Sequence, residues 1–268
     1  MTTDIWSTVA TLDSETQERL AGVLETRAAD LRQQEMRHEF LEAIAFPAGA
    51  QVLEVGCGTG ALTRTLATWP GVGKVVGIDP APSLLTRARE LSGQLDNLSF
   101  EEADGRSLPF GDASFDVVVF DSTLCHVPEP QLALAQAYRV VRPGGLLAVF
   151  DGDYTTTTVA LSDHDPVQTC VDMMVSHSVH DSRLVRRLPA LARDAGFAVL
   201  LVRSHGFVES DNPGYMLTII DRGADMLRAA NIIGEPLAVA LKEEARRRVA
   251  AGTFFGHIAY GSVIARKP

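Results

Sequence analysis

The sequence predicts an α/β protein built on a doubly wound, mostly parallel sheet, and three observations carry that prediction. From about residue 50 onward, short apolar runs alternate with segments of helical periodicity, as in successive strand–helix–strand units. Several runs, Val117-Val118-Val119-Phe120 among them, are apolar without alternation, the mark of strands covered by helices on both faces. Between the first run and the first helix after it lies a glycine-rich turn, Gly56-Cys57-Gly58-Thr59-Gly60, where open α/β sheets bind ligands.

The elements follow in order. Ser14 and Gln17 fit an S-x-x-Q capping box at the start of a helix, with Asp13 as a competing cap. Leu20, Val23, Leu24, Ala28 and Leu31 then recur at helical spacing, and Phe40, Leu41 and Ile44 carry a second apolar face ending near Pro47-Ala48-Gly49. Strands are predicted at 51–55, 75–79, 98–102, 115–120 and 146–150, with helices at 61–67, 83–95 and 131–141. Further on, 184–195 reads as a helix closed by Gly196, 198–202 as a strand, 215–230 and 237–249 as amphipathic helices, and 254–266 as a late alternating strand. Residues 154–181 fit no clean period and read as an insertion over the sheet. No repeat or Pro/Ser-rich linker interrupts the chain, so one domain over residues 1–268 is the economical division.

Composition narrows the function. A chain of 268 residues can bury a substantial core without disulfides. Cys57, Cys125 and Cys170 form no CxxC pair, which argues against a disulfide framework, a zinc ribbon or a thioredoxin-like site. Asp and Glu number 34 against 24 Lys and Arg, a formal charge of -10 that repels nucleic acid and anionic membrane surfaces. The first twenty residues carry acids and no apolar core, unlike a signal peptide. No run reaches the roughly 18 apolar residues of a membrane span. The expectation is a cytoplasmic protein acting on small molecules.

The glycine turn has acidic partners. Its spacing is G-x-G-x-G, with Glu54 two residues before the first glycine. A turn without side chains lets a ligand lie against the backbone. Asp79, 23 residues beyond Gly56, ends the second predicted strand, where a carboxylate accepts hydrogen bonds from both ribose hydroxyls of an adenosine. Pro80-Ala81-Pro82 follows as an apolar flank for adenine. Asp104, beside Gly105, ends the third strand, where it is placed to accept the adenine amine. One acid at a strand end is ordinarily a cap; three in this order with a glycine turn describe a nucleoside site.

With these residues in view, the sequence resembles the class I S-adenosylmethionine-dependent methyltransferases. Glu54-Val55-Gly56-Cys57-Gly58-Thr59-Gly60 looks like their first motif, Asp79 their second acid and Asp104 their adenine-reading position. Phe115-Asp116-Val117-Val118-Val119-Phe120-Asp121 looks like their fourth strand, and Arg139-Val140-Val141-Arg142-Pro143-Gly144-Gly145 the turn before the fifth. Leu108-Pro109-Phe110 and His126-Val127-Pro128-Glu129-Pro130 are similar to the ubiquinone/menaquinone C-methyltransferase-like branch. The resemblance covers residues 36–152 well and the rest in outline. It implies a seven-stranded sheet with an antiparallel last strand. S-adenosylmethionine would be the cofactor and S-adenosylhomocysteine the product. The turn from Gly56 to Gly60, including Cys57 and Thr59, would back the methionine part, Asp79 would hold the ribose, and Asp104 with Gly105 the adenine. Phe120 and Asp121 would line the sulfonium region, and Arg37 would pair with the cofactor carboxylate. The chain then divides into N-terminal helices (1–46), a cofactor-binding core (47–152) and a remainder (153–268) whose insertions near 154–181 and 209–251 cover the acceptor.

Methyl transfer from a sulfonium is a direct displacement, so the protein mainly aligns the reactants and excludes water. A base is needed only where the acceptor must lose a proton, and His126, just past the fourth strand, is the candidate. Tyr154, His177 and His180 are candidate acceptor contacts. Asp121 and Asp151 end strands where catechol-type methyltransferases hold magnesium, but Asp151-Gly152-Asp153 lacks the Asp-Asn pair, so no metal is expected. Asn212-Pro213-Gly214-Tyr215 resembles the signature of amino-methylating DNA enzymes, yet it is displaced from the fourth strand and reads as a turn. Arg246-Arg247-Arg248 reads as a solvated helix face. The expected partner is a small, partly apolar methyl acceptor for C-, O- or N-methylation, with no nucleic acid and with homo-oligomerisation left open. The alternatives are an NAD-dependent oxidoreductase, disfavoured by the glycine spacing, and a non-catalytic S-adenosylmethionine-binding scaffold.

Overall fold

Residues 117–120 offer no polar face, and in the computed structural model, which describes residues 4–211 and 213–268, each of them is 0% exposed. They lie in β4 (Phe115–Asp121), the centre of one sheet that also contains β1 (Ala50–Val55), β2 (Val72–Asp79), β3 (Leu98–Glu102), β5 (Val141–Thr158), β6 (Ala198–Glu209) and β7 (Gly256–Arg266). The strand order is β3-β2-β1-β4-β5-β7-β6. Pairings from β3 through β5 are parallel, and β7 runs antiparallel to both β5 and β6. The chain steps outward from β1 to β3 and then returns to place β4 on the other side of β1. That reversal opens a crevice at the carboxyl ends of β1 and β4, the position where such sheets hold ligands.

The helices are α1 (Ser14–Ala29), α2 (Leu31–Glu42), α3 (Ala61–Ala67), α4 (Pro82–Ser92), α5 (Pro130–Val140), α6 (Gln168–Ser178), α7 (Leu184–Asp194), α8 (Gly214–Ala229) and α9 (Glu235–Ala250). None of the described helices is long and apolar enough to cross a membrane. Pro82 and Pro130 sit in the first turns of α4 and α5, where a missing N–H costs nothing. Apolar residues of α2 (Met36, Phe40, Leu41), α3, α5, α7 and α8 fill the core against the sheet.

Several boundaries differ from the sequence expectation. Asp13, not Ser14, caps α1, its Oδ1 accepting the Thr16 N–H at 2.9 Å, while Gln17 donates to the carbonyls of Val9 and Leu12. The first helix stops at Asp30, whose carboxylate takes the Gln33 N–H at 2.8 Å and caps α2. Leu31 therefore leaves the apolar face assigned to it and is 75% exposed. Strand β5 runs on to Thr158, because β7 supplies a ladder partner as far as His257. Residues 154–158, read as insertion, are thus strand, and α6 forms the rest of the cover. Arg248 is not on a solvated face. Its guanidinium donates to both oxygens of Asp165, at 2.7 and 2.9 Å, and ties α9 to the loop before α6. Within the displaced Asn-Pro motif, Asn212 lies outside the described residues and Gly214 opens α8. The Glu209 carboxylate caps that helix by accepting from Tyr215 N and Met216 N at 3.1 and 2.6 Å.

Helices α6 and α8 cross closely enough that a Cβ on Gly223 would stand 1.8 Å from the Cys170 carbonyl oxygen. Gly223→Ala must push them apart, and a loss of about 1–3 kcal/mol is expected from such overpacking. A thermal melt reads it, and an unchanged midpoint would contradict the crossing.

Candidate active site

The glycine turn is fastened to the neighbouring strand before any ligand is considered. Gly56 and Cys57 donate their N–H groups to the Ile78 carbonyl at 2.8 and 2.9 Å, and Gly58 N donates to Asp79 Oδ2 at 2.9 Å. The other oxygen of Asp79 takes the Ala81 N–H at 2.9 Å. Asp79 thereby knits the turn after β1 to the turn after β2. Burial pushes its carboxyl up to about 6, against the two backbone donors that favour the ion. Gly56 adopts φ +75, and a Cβ there would meet Thr123 Cγ2 at 2.2 Å, so the turn admits only glycine.

Below the turn, Glu54 is buried at the end of β1 and accepts a hydrogen bond from Thr63 Oγ1 at 2.5 Å. Burial raises its carboxyl to about 8, with the Thr63 bond opposing, so it is largely protonated at neutral pH. Between the ordinary value of 4.5 and about 8, the folded chain holds a proton that the unfolded chain has lost. Its contribution to stability is therefore present at the acid end and lost as pH rises through that window. Glu54→Gln is expected to flatten this decline in urea unfolding midpoints. An unaltered pH slope would contradict the assignment.

At the end of β4, Asp121 faces two arginines. Arg37 Nε donates to its Oδ2 at 2.7 Å, and Arg27 Nη2 lies 3.8 Å from its Oδ1. Ser122 bridges, receiving a hydrogen bond from Arg27 at 2.5 Å and donating to Asp121 Oδ1 at 2.9 Å. Burial favours the neutral acid, but Arg37 and then Arg27 outweigh it and hold this carboxyl below its ordinary value. Arg27, from α1, also lies over the rings of Tyr260 and Tyr215 at 5.6 and 6.0 Å.

These groups line one cleft of about 260 Å³. Arg37, Glu54, Gly56, Cys57, Gly58, Thr59, Asp79, Pro80, Asp104, Gly105, Asp121, His126 and Tyr154 all reach it. Gly60 and Phe120 do not: Gly60 caps α3 behind the turn, and Phe120 is in the core. Asp104 sits exposed at the mouth, held by Arg106 at 2.6 Å, whose hydrogen bonds lower its pKa. His177 turns back to the Met173 carbonyl on the exposed side of α6, and His180 contributes only its backbone; neither side chain lines the cleft. The segment that carries them had no readable period, so the sequence offered no facing for them.

The far end of the cleft is formed by His126, Tyr154, Met174, Ser178, Val179, Tyr215 and neighbours on α8. His126 Nδ1 lies 2.7 Å from Asp4 Oδ2, and that buried carboxylate also accepts from His180 N and Trp6 N at 2.7 and 2.8 Å. A hydrogen donated from Nδ1 to Asp4 leaves Nε2 as the acceptor. Asp4, Trp6 and Arg27 had no motif around them, and only a fold that lays the N-terminal segment across the cleft brings them here; Tyr215, read as part of a turn, arrives on α8.

The residues present fit an adenosyl amino acid. Each Asp79 oxygen retains accepting capacity beyond its one backbone donor. At the inner end, Arg27 Nε is buried without a partner, and Arg37 makes no hydrogen bond through its Nη atoms among the described residues. Those donors suit a carboxylate. Asp151 accepts instead from the N–H groups of Cys125 and Gly152, and no group of three or more His, Cys, Asp or Glu among the described residues is arranged for a metal. The three cysteines are free and buried, and burial pushes the Cys57 thiol up, away from nucleophilic use.

Sheet order, glycine turn and strand-end acids together define the class I S-adenosylmethionine-dependent methyltransferase fold. Residues 53–149 match the family described as a methyltransferase domain. It is 37% identical over 124 residues to the demethylmenaquinone methyltransferase of Tropheryma whipplei, a match covering 46% of this chain and 51% of that protein. With cycloartenol-C-24-methyltransferase 1 of Oryza sativa it shares 29% identity over 181 residues, covering 63% and 50%. The chain thus spans about half the length of these curated relatives. Among solved structures, phosphoethanolamine N-methyltransferase 2 of Haemonchus contortus, in complex with S-adenosyl-L-methionine, superposes with a TM-score of 0.55 at 18% identity, covering 87% of this chain and 52% of that one. That last likeness is one of fold.

Proposed function

We propose that the protein transfers the methyl group of S-adenosylmethionine to a small, partly apolar acceptor by direct displacement. The observation that carries this reading is the continuity of the cleft. The glycine turn and Asp79 share one cavity with the chamber of Tyr154, Met174, Tyr215 and Ile219. When bound, the cofactor supplies an electrophilic methyl on a good leaving group. The protein's part is then to position and to dehydrate. Asp79 would hold the ribose and Asp104 with Gly105 the adenine end, while Arg27 and Arg37 would take the carboxylate. The N-terminal segment, through Trp6, Ser7 and Val9, and α6 and α8 would keep water from the reacting atoms. For an acceptor whose attacking atom carries a proton, His126 Nε2 is the base, with Asp4 orienting the ring and stabilising the imidazolium.

The test is incubation with S-adenosylmethionine labelled in its methyl group and a metabolite extract. A labelled small molecule other than the cofactor is the expected product. Label remaining wholly in the cofactor would count against the reading.

A further inference from the structure

Helix α8 turns Tyr215, Thr218, Ile219 and Arg222 into the cleft, one face at positions i, i+3, i+4 and i+7. Arg222 is unlike the other arginines there. Arg27 and Arg37 answer Asp121, and Arg106 answers Asp104. Among the described residues, Arg222 makes no ion pair, and its single polar contact is Nη2 to Ser178 Oγ at 3.5 Å, at the outer limit of a hydrogen bond. Burial disfavours its charged form and lowers its pKa. Tyr215 and Asp4 favour the charge from a distance, while exposed Arg19 opposes it. Leaving a largely buried guanidinium without an anion is costly, and the natural remedy is an anion brought by a ligand.

The position of Arg222 separates it from the cofactor's own needs. The inner end beside β4 already has Arg27 and Arg37 next to the glycine turn. Arg222 stands instead between α8 and α6, in the cap that holds Met174, Ser178 and Val179. Beside it the Ser178 hydroxyl can turn its hydrogen to an oxygen of an anionic group, whereas Thr218 spends its own on the Tyr215 carbonyl at 2.7 Å. A guanidinium fork with a neighbouring hydroxyl suits a carboxylate or a phosphate.

We infer that the methyl acceptor is an anion, an apolar body bearing a carboxylate or phosphate that is seated against Arg222. This rests on the methyl-transfer reading of the cleft. The acceptor's negative charge also lies in the field of the sulfonium it must approach, which favours encounter.

The experiment uses the full chain saturated with S-adenosylhomocysteine and matched probes in thermal shift and calorimetry. The pairs are benzoate against benzamide, and phenyl phosphate against phenol. An anion of at least one pair is expected to raise the melting temperature while its neutral partner does not, and which anion does so distinguishes carboxylate from phosphate. Arg222→Met should weaken that anion about tenfold or more, the equivalent of one charge-assisted pair. Arg222→Lys, which keeps the charge, should retain part of the affinity. Equal shifts from neutral and anionic partners, or no shift from either anion, would overturn the inference. So would weaker S-adenosylhomocysteine binding in Arg222→Met, since Arg222 would then serve the cofactor. Failure of S-adenosylhomocysteine to bind the unaltered protein is a separate result and removes the methyl-transfer reading itself.

Discussion

Asp121→Ala is expected to destabilise the protein by about 3–5 kcal/mol, the usual cost of removing one member of a buried ion pair. The carboxylate is the shared partner of Arg27 and Arg37, whose side chains are only 10% and 12% exposed. Without it two guanidinium groups remain buried side by side, and Ser122 loses the acceptor through which it relays Arg27. Asp121→Asn keeps the shape and removes the charge, so most of the loss should persist. Urea unfolding with an unchanged m-value reads the difference directly. A loss below about 1 kcal/mol would mean that the arginines find other partners and that the cluster is not the anchor described. The pH dependence has a definite sign. Folding lowers this carboxyl, so its contribution is present above the ordinary value of 3.8 and is lost as pH falls through and below it.

The second large effect is on the ligand. Asp79→Ala should weaken S-adenosylhomocysteine binding by about 1–3 kcal/mol, through lost bonds to the ribose and loss of the carboxylate that fastens Gly58 and Ala81. Asp79→Asn, still able to accept, should lose less. In the unaltered protein, affinity should fall as pH drops through about 6, where this buried carboxyl takes up a proton and one oxygen turns from acceptor to donor. Affinity in calorimetry that is equal for Asp79→Ala and the parent would remove Asp79 from the site.

Most of the sheet was legible because burial on both faces writes itself into composition. Val117 to Phe120 could hardly be anything but a central strand, and the alternation in the last dozen residues pointed to β7. The glycine turn and Asp79 were legible for a different reason: backbone close to a ligand restricts which residues are tolerated. What escaped was set by contacts remote in sequence. Asp4 meets His126 across 122 positions and Arg27 meets Ser122 across 95, and no local pattern announces either. Helix α1 reads from its sequence as a helix with an apolar face that includes Val23 and Leu24, and nothing local shows that these two and Arg27 make it a wall of the cleft. Likewise the run from Tyr154 to Thr158 is polar and looks like a loop until β7 is laid beside it. Arg248 looked solvated in a basic triplet because its partner Asp165 lies 83 positions away, in a segment without period.

The account turns on the identity of the nucleoside that the cleft accepts. Parallel calorimetric titrations of the protein with S-adenosylhomocysteine and with NAD test this most directly, because both carry an adenosine and only one ends in an amino acid suited to Arg27 and Arg37. Saturable binding of S-adenosylhomocysteine, with none of NAD, is expected. Binding of NAD alone would contradict the methyltransferase account.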